Sequence, residues 1–354
     1  MAKRKKKAKK EEKKPKKKRS KAKKKTKKKK RRRKKKGGGS LLVFLLLVIA
    51  IGAVIFISKA KSGAPVKYLK AQKLAEWGSA GSKPGQLDSP RGVAVSDDGK
   101  VYVSDLNNSR VNVYTGSGKF IKSWGKKGDK KGQFNEPSGI SIGPKGNVFV
   151  ADSWNGRIQK FDSNGKYLLQ IGGAKAGFYS PRNAAVNKYG VLYVADTGTS
   201  RIHRFDTEGH RLGNPVGGAG KSLDKFNEVF GIAFDSKGRV YVADVGNRRV
   251  VVLSSDLRPE AQIKIKPWSD AFPLWPMLAV DTKDLLYVVS SGTQEICLYD
   301  TKDKKFKYAG TIKNDVKGKP LFANPLGLDV DNMDNVYVTE LSRNKVLKIK
   351  PEIQ

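Results

Sequence analysis

The stretch VYVSDLNNSRV at 101–111 returns as VFVADSWNGRI (148–158), LYVADTGTSRI (192–202), VYVADVGNRRV (240–250), LYVVSSGTQEI (286–296) and VYVTELSRNKV (336–346). The position held by Asp105 recurs at 152, 196, 244, 290 and 340, a spacing of 44 to 50 residues. A period of this length suits a four-stranded propeller blade with one loop of variable length. Around each copy, short apolar runs alternate with clusters of Gly, Asn, Asp and Ser, which is the pattern of strands and not of helices. Asp97-Asp98-Gly99, Pro144-Lys145-Gly146 and Ser236-Lys237-Gly238 read as hairpins between first and second strands, and Ser163-Asn164-Gly165 as one between third and fourth.

The ends of the repeat array predict how the ring closes. The sixth unit stops one strand short at Gln354, while Lys73–Gly78 resembles the ends of earlier units, such as Phe120–Gly125, with nothing before it to form a blade. That segment is expected to complete the last sheet, which removes the exposed edges of an open array. The fold class predicted is all-β, a six-bladed propeller over residues 73–354.

The Pro-x-Gly pattern, the Val-Tyr-Val-Ala-Asp strand and the Arg five residues after the Asp resemble NHL repeats over about four fifths of the chain. Four units match closely. The fifth and sixth depart, with Ser290 and Glu295 in one and Glu340 and Lys345 in the other. The pairs Asp105 with Arg110, Asp152 with Arg157, Asp196 with Arg201 and Asp244 with Arg249 read as structural. A short Asp at a strand end accepts turn N–H groups and can meet an Arg on the neighbouring strand, and a device present in several blades is not an asymmetric binding site. Gly92, Gly139, Gly231 and Gly327 mark close approach of the inner strands to the axis. Asn183 and Met277 replace glycine in the third and fifth units, so their side chains are expected to intrude on the axial channel.

Function on a ring resides in the loops of one face. The segments leading into the first strands, together with those between second and third strands, carry Arg91, Trp154, Arg182, Phe230, Arg248 and Trp275, residue types that dominate protein interfaces. Propellers resembling this one include metal-dependent lyases and lactone hydrolases, which need His or carboxylate ligands at the axis. The only two histidines, His203 and His210, fall in or beyond a third strand, away from the axis. No Gly-x-Ser-x-Gly elbow, P-loop or paired Cys ligands are present. The expectation is therefore a binding protein without catalysis, cofactor or metal, whose loop face takes a protein, peptide or glycan. The alternative is a hydrolase or lyase with an axial metal.

The amino-terminal fifth is of another kind. Residues 1–36 hold 27 Lys and Arg against Glu11 and Glu12, a net +25 of the chain's +41. With almost nothing apolar to bury, residues 1–40 are predicted to be disordered. Leu41 to Ile57 follow as 17 uncharged residues, enough at ~1.5 Å per residue to reach the lower limit for a bilayer span. Residues 41–58 are thus expected to be a transmembrane helix, with 59–72 as a stalk. The basic flank predicts a cytoplasmic tail and a periplasmic or extracellular propeller. A cleaved signal peptide ending near Ser58-Lys59-Ala60 is the alternative, disfavoured by the length of the basic segment. The tail suits anionic lipid, at ~1 kcal/mol per basic residue near the leaflet. Nucleic acid or an acidic protein are the other partners such a polycation could take. The lone Cys297 allows no disulfide framework.

Overall fold

The structure, a computed structural model, describes residues 67–173, 177–271 and 274–353. The expected tail (1–40) and transmembrane helix (41–58) lie outside the described residues. Among the described residues no helix is long and apolar enough to cross a membrane.

Among the described residues the first strand is β1 (Tyr68–Trp77), after which the blades follow in order. Blade 1 is β2 (Pro90–Val95), β3 (Val101–Asp105), β4 (Arg110–Tyr114) and β5 (Phe120–Trp124). Blade 2 is β6 (Pro137–Ile142), β7 (Val148–Asp152), β8 (Arg157–Phe161) and β9 (Tyr167–Gly172). Blade 3 is β10 (Pro181–Val186), β11 (Leu192–Asp196), β12 (Arg201–Phe205) and the two-residue β13 (Val216–Gly217). Blade 4 is β14 (Val229–Phe234), β15 (Val240–Asp244), β16 (Arg249–Leu253) and β17 (Pro259–Lys264). Blade 5 is β18 (Leu278–Val280), β19 (Leu285–Ser290), β20 (Glu295–Asp300) and β21 (Lys307–Asp315). Blade 6 is β22 (Pro325–Val330), β23 (Val336–Glu340) and β24 (Lys345–Pro351), completed by β1.

The closing strand forms as the sequence predicts, and it does more. Ala75, Glu76 and Trp77 pair antiparallel with Lys348, Leu347 and Val346 of β24. The first half of β1 pairs in parallel with β21 of blade 5, Tyr68 opposite Thr311 and Ala71 opposite Asp315. The expected stalk boundary is corrected accordingly: Tyr68–Gln72 belong to the sheet, because Leu69 and Ala71 are buried in the seam between blades 5 and 6.

Burial explains why the second strand of each blade is dominated by an apolar run. Val101–Asp105, Val148–Asp152, Leu192–Asp196 and Val240–Asp244 are buried at all five positions, because each is covered by a neighbouring blade on both faces. The core is divided among the seams. Ala94, Tyr102 and Val113 of blade 1 pack on Val148, Val150 and Phe161 of blade 2, and equivalent clusters fill the other seams. An aromatic ring in each second strand (Tyr102, Phe149, Tyr193, Tyr241, Tyr287, Tyr337) is fully buried, and each such burial contributes on the order of 1.5–3 kcal/mol.

Inner strands are stitched to the second strand, or the turn after it, of the preceding blade. The Thr339 hydroxyl donates to the Arg91 carbonyl at 2.7 Å, the Ser153 hydroxyl to the Pro181 carbonyl at 2.7 Å, and the Thr197 hydroxyl to the Val229 carbonyl at 2.5 Å. These contacts demand close approach. A Cβ on Gly139 would lie 2.7 Å from the Arg182 carbonyl oxygen, which is why glycine sits there.

Candidate functional site

The repeated acid–base pairs act as the sequence analysis expects in three of four cases. The Asp152 carboxylate accepts the Asn135 N–H at 2.7 Å, the Arg157 Nε–H at 2.7 Å, and side-chain amides of Asn155 and Gln159 at 2.9 and 3.0 Å. Arg157 in turn donates to the Lys130 and Gln133 carbonyls, both at 2.9 Å. Asp105 with Arg110 and Asp244 with Arg249 repeat this arrangement. Burial pushes all three carboxyls up, against the opposing pull of these donors.

The fourth pair is corrected. Asp196 and Arg201 are opposite in register, but no ion pair joins them, and Arg201 is exposed. Instead the Asp196 carboxylate takes the Tyr179 N–H at 2.8 Å and the Thr199 hydroxyl at 2.6 Å. The connection into blade 3 spans 10 positions from Ile171 to Pro181, against 13 from Trp124 to Pro137. The segment that supplies Arg157 with carbonyl acceptors is thereby shortened in blade 3. In blade 6 the Glu340 carboxylate caps the Ala323 and Asn324 N–H groups, while Lys345 pairs with Glu76 of the closing strand.

One end of the ring carries the connections into the inner strands and the turns between second and third strands. There, four of the six predicted binding residues converge. Arg91, Arg182 and Phe230 are second residues of β2, β10 and β14, and Trp275 directly precedes Pro276 on the way into β18. The Arg91 guanidinium lies 3.5 Å from the centroid of the Trp275 ring, although one residue belongs to blade 1 and the other to blade 5. Arg182, Phe230, Leu274 and Trp275 line one cavity. Trp275 occupies a left-handed backbone position (φ 42°), one residue later in the repeat than the left-handed Ser89, Glu136, Ser180 and Glu228 of other blades. In this blade the kink is thus shifted by one residue and carries a bulky ring, at a cost of ~1 kcal/mol or more.

The electrostatics of this mouth are uneven. Arg182 approaches Glu136 at 3.6 Å. Arg91 makes no ion pair among the described residues, and its buried Nε has no hydrogen-bond partner. Burial, reinforced by the charge of Arg182, pulls the Arg91 guanidinium down to about 10, with Glu136 opposing. Burial also lowers Arg182. Both remain charged at neutral pH. Directly beneath, the Asn183 side-chain amide lies 2.9 Å from the Met277 sulfur, so these two narrow the channel as expected.

Two predicted binding residues are not part of this convergence. Trp154 is 65% exposed on the turn after β7, and Arg248 lines a separate cleft with Lys221 and Lys264. His203 is buried beside Phe178 and Phe205 in the third strand of blade 3, and His210 is exposed against Asp206. Glu136 and Leu274 went unnoticed in the sequence, although each lies in the segment leading into an inner strand.

Further down the channel wall is Asp329, whose carboxylate accepts the Val95 N–H of the next blade at 2.8 Å and the Val330 N–H at 2.9 Å. Burial pushes this carboxyl up to about 6, with Asp331 adding and the two N–H groups opposing. An unfolded Asp titrates near 3.9, so its contribution to stability is complete below about pH 4 and is lost as pH rises through about 6. Relative to Asp329→Asn, the wild type is therefore expected to gain stability on going from about pH 7 to about pH 4.5, read as the difference in denaturation midpoints.

The NHL repeat family model matches residues 87–114, 134–161 and 226–253. These are blades 1, 2 and 4, the three whose Asp–Arg pairs form. No curated protein matches the chain by sequence. Among solved structures, the chain is similar to a streptogramin B lyase (TM-score 0.55, 15% identity, covering 81% of this chain and 98% of that one). It is similar also to the PQQ-bound aldose sugar dehydrogenase of Streptomyces coelicolor (0.58, 14%, 82% and 100%) and to a gluconolactonase of Xanthomonas campestris (0.57, 14%, 81% and 99%). At these identities the likeness shows the fold. The protein carries NHL repeats on a β-propeller.

The expectation that the protein is not an enzyme is corrected by these neighbours. Three named enzymes share the fold, so the absence of sequence motifs for hydrolases or nucleotide binding does not exclude catalysis. Active sites on such a ring are assembled from separate blades and leave no contiguous motif.

Proposed function

We propose that this NHL propeller captures a small-molecule substrate at the mouth formed by Arg91, Arg182, Phe230 and Trp275. The observation that carries the reading is convergence. Four side chains from four blades meet at a ring end that otherwise repeats, and Arg91 is held there without an ion-pair partner among the described residues. The activities named for the structural neighbours support a substrate over a purely structural role. Among the described residues no three His, Cys, Asp or Glu side chains gather as metal ligands. The donor set among the described residues does not fit the axial metal of the lyase and hydrolase alternative.

The full chain in lipid nanodiscs, incubated with a defined metabolite mixture, tests this. The wild type is expected to convert or retain a compound that Trp275→Ala and Arg182→Met leave untouched. Equal conversion or retention by all three, or none by the wild type, would overturn it.

A second reading keeps the face as a docking surface for a protein, peptide or glycan. It is favoured by Trp154 and Tyr179, 65% and 72% exposed on the same face.

The apolar run and the charge asymmetry flanking it support anchoring by residues 41–58, with the tail on anionic cytoplasmic lipid and the propeller periplasmic or extracellular. Binding of nucleic acid by the tail is the competing use of the same charge. Protease added to intact cells, and to cells with the outer barrier opened, checks the arrangement. A propeller digested in either condition with the tail protected throughout is expected. Protection of both parts in both conditions would place the propeller in the cytoplasm and favour nucleic acid.

A further inference from the structure

Burying a guanidinium is unfavourable unless it is paired or serves a ligand. At the channel mouth two, Arg91 and Arg182, are partly buried and near enough to repel each other. Among the described residues the carboxylate that offsets them is Glu136 alone. Glu228 lies on the rim of the same cavity but is exposed and makes no ion pair with either. The pair and Glu136 together leave one positive charge uncompensated. The cavity beside Arg182 is apolar at Phe230, Leu274 and Trp275 and polar elsewhere, at Ser180, Thr197, Ser200, Asn227 and Glu228. A guanidinium presents a planar fork of donors that matches a carboxylate in two hydrogen bonds, and Arg91 has a buried Nε–H with no acceptor.

We propose that the mouth recognises an organic carboxylate, its anionic group held between Arg91 and Arg182 and its apolar body laid against Phe230 and Trp275. The inference rests on the reading of this mouth as a substrate site and names the class of ligand. A single negative charge balances the mouth, whereas a phosphate dianion overshoots it. The stack of Arg91 on Trp275 fixes the guanidinium plane before the ligand arrives, so little side-chain freedom is lost on binding.

Calorimetric titration of the full chain in uncharged nanodiscs tests the proposal. The probes are aryl and alkyl carboxylates, each with its neutral amide, and inorganic phosphate. At least one carboxylate is expected to bind ten-fold or more tightly than its amide and than phosphate. Arg91→Met and Arg182→Met should each weaken it ten-fold or more, and Glu136→Gln should tighten it several-fold. Lys145→Met, an equal loss of charge on an exposed loop at the other end of the ring, should leave it unchanged. Amide and carboxylate binding equally, with both lost in Trp275→Ala, would overturn the carboxylate assignment while leaving the mouth a binding site. Carboxylate binding unaffected by Arg91→Met, Arg182→Met and Trp275→Ala would overturn both. Tighter binding of phosphate, or no binding by any carboxylate, would overturn the proposal.

Discussion

Asp152→Ala is expected to lower folding stability by about 3–5 kcal/mol, the range for removing one partner of a buried ion pair. The loss has several parts. Arg157 keeps its carbonyl partners but loses the carboxylate, and the Asn135 N–H and the amides of Asn155 and Gln159 lose their common acceptor. The side chain of Asp152 is fully buried, so water does not replace it. Asp196→Ala serves as the internal comparison. It strips the Tyr179 N–H and the Thr199 hydroxyl of an acceptor but orphans no Arg, so about 1–3 kcal/mol is expected. Urea denaturation of the two variants beside the wild type measures the difference, and equal losses would mean that the Arg is incidental to the device.

Trp77→Ala is expected to have an effect of similar size through the seam that closes the ring. Trp77 ends the strand that completes blade 6, is 8% exposed, and packs on Tyr337 of blade 6 and Tyr114 of blade 1. Deleting so large a buried ring costs about 3–5 kcal/mol. Its indole N–H has no partner among the described residues, so part of that cost is relieved when it is removed. Trp77→Phe should therefore be tolerated far better than Trp77→Ala. Beyond stability, the alanine variant loosens the one joint made by chain ends and exposes strand edges. Thermal unfolding with light scattering should show a lower midpoint with earlier aggregation for the alanine variant. Leu74→Ala, 42% exposed on the same strand, should change neither by much.

Most of the fold was legible because each blade repeats the same local chemistry. A strand covered on both faces is mostly apolar, and six copies of Val-Tyr-Val-Ala-Asp or its variants announce it. Closure was readable from the incomplete sixth unit. The parallel pairing of Tyr68–Ala71 with β21 was not, since Tyr-Leu-Lys-Ala carries no repeat signature and is fixed by tertiary packing. The failure of the Asp196–Arg201 pair was readable in principle, from the shortened connection ahead of Pro181. At the candidate site, residue types and face were legible and partnership was not. Trp275 reaches Arg91 across the intervening blade 6, a contact between residues 184 positions apart that no spacing rule anticipates. Trp154 and Arg248 have the same composition signal, yet they project from the turns between second and third strands and do not join the mouth. Motifs of contiguous residues do not reveal a site whose side chains come from separate blades, as Arg91 and Trp275 do.

Amide hydrogen exchange of the full chain with and without its tightest-binding carboxylate tests most directly whether the mouth is the working site. Ligand-dependent protection confined to the backbone around Arg91, Arg182, Phe230 and Trp275 is the predicted result. Protection at the hairpins of the opposite end, around Asp97, Lys145, Lys188, Lys237 and Lys283, with none at the mouth, would contradict the account and move the site to the other face of the ring.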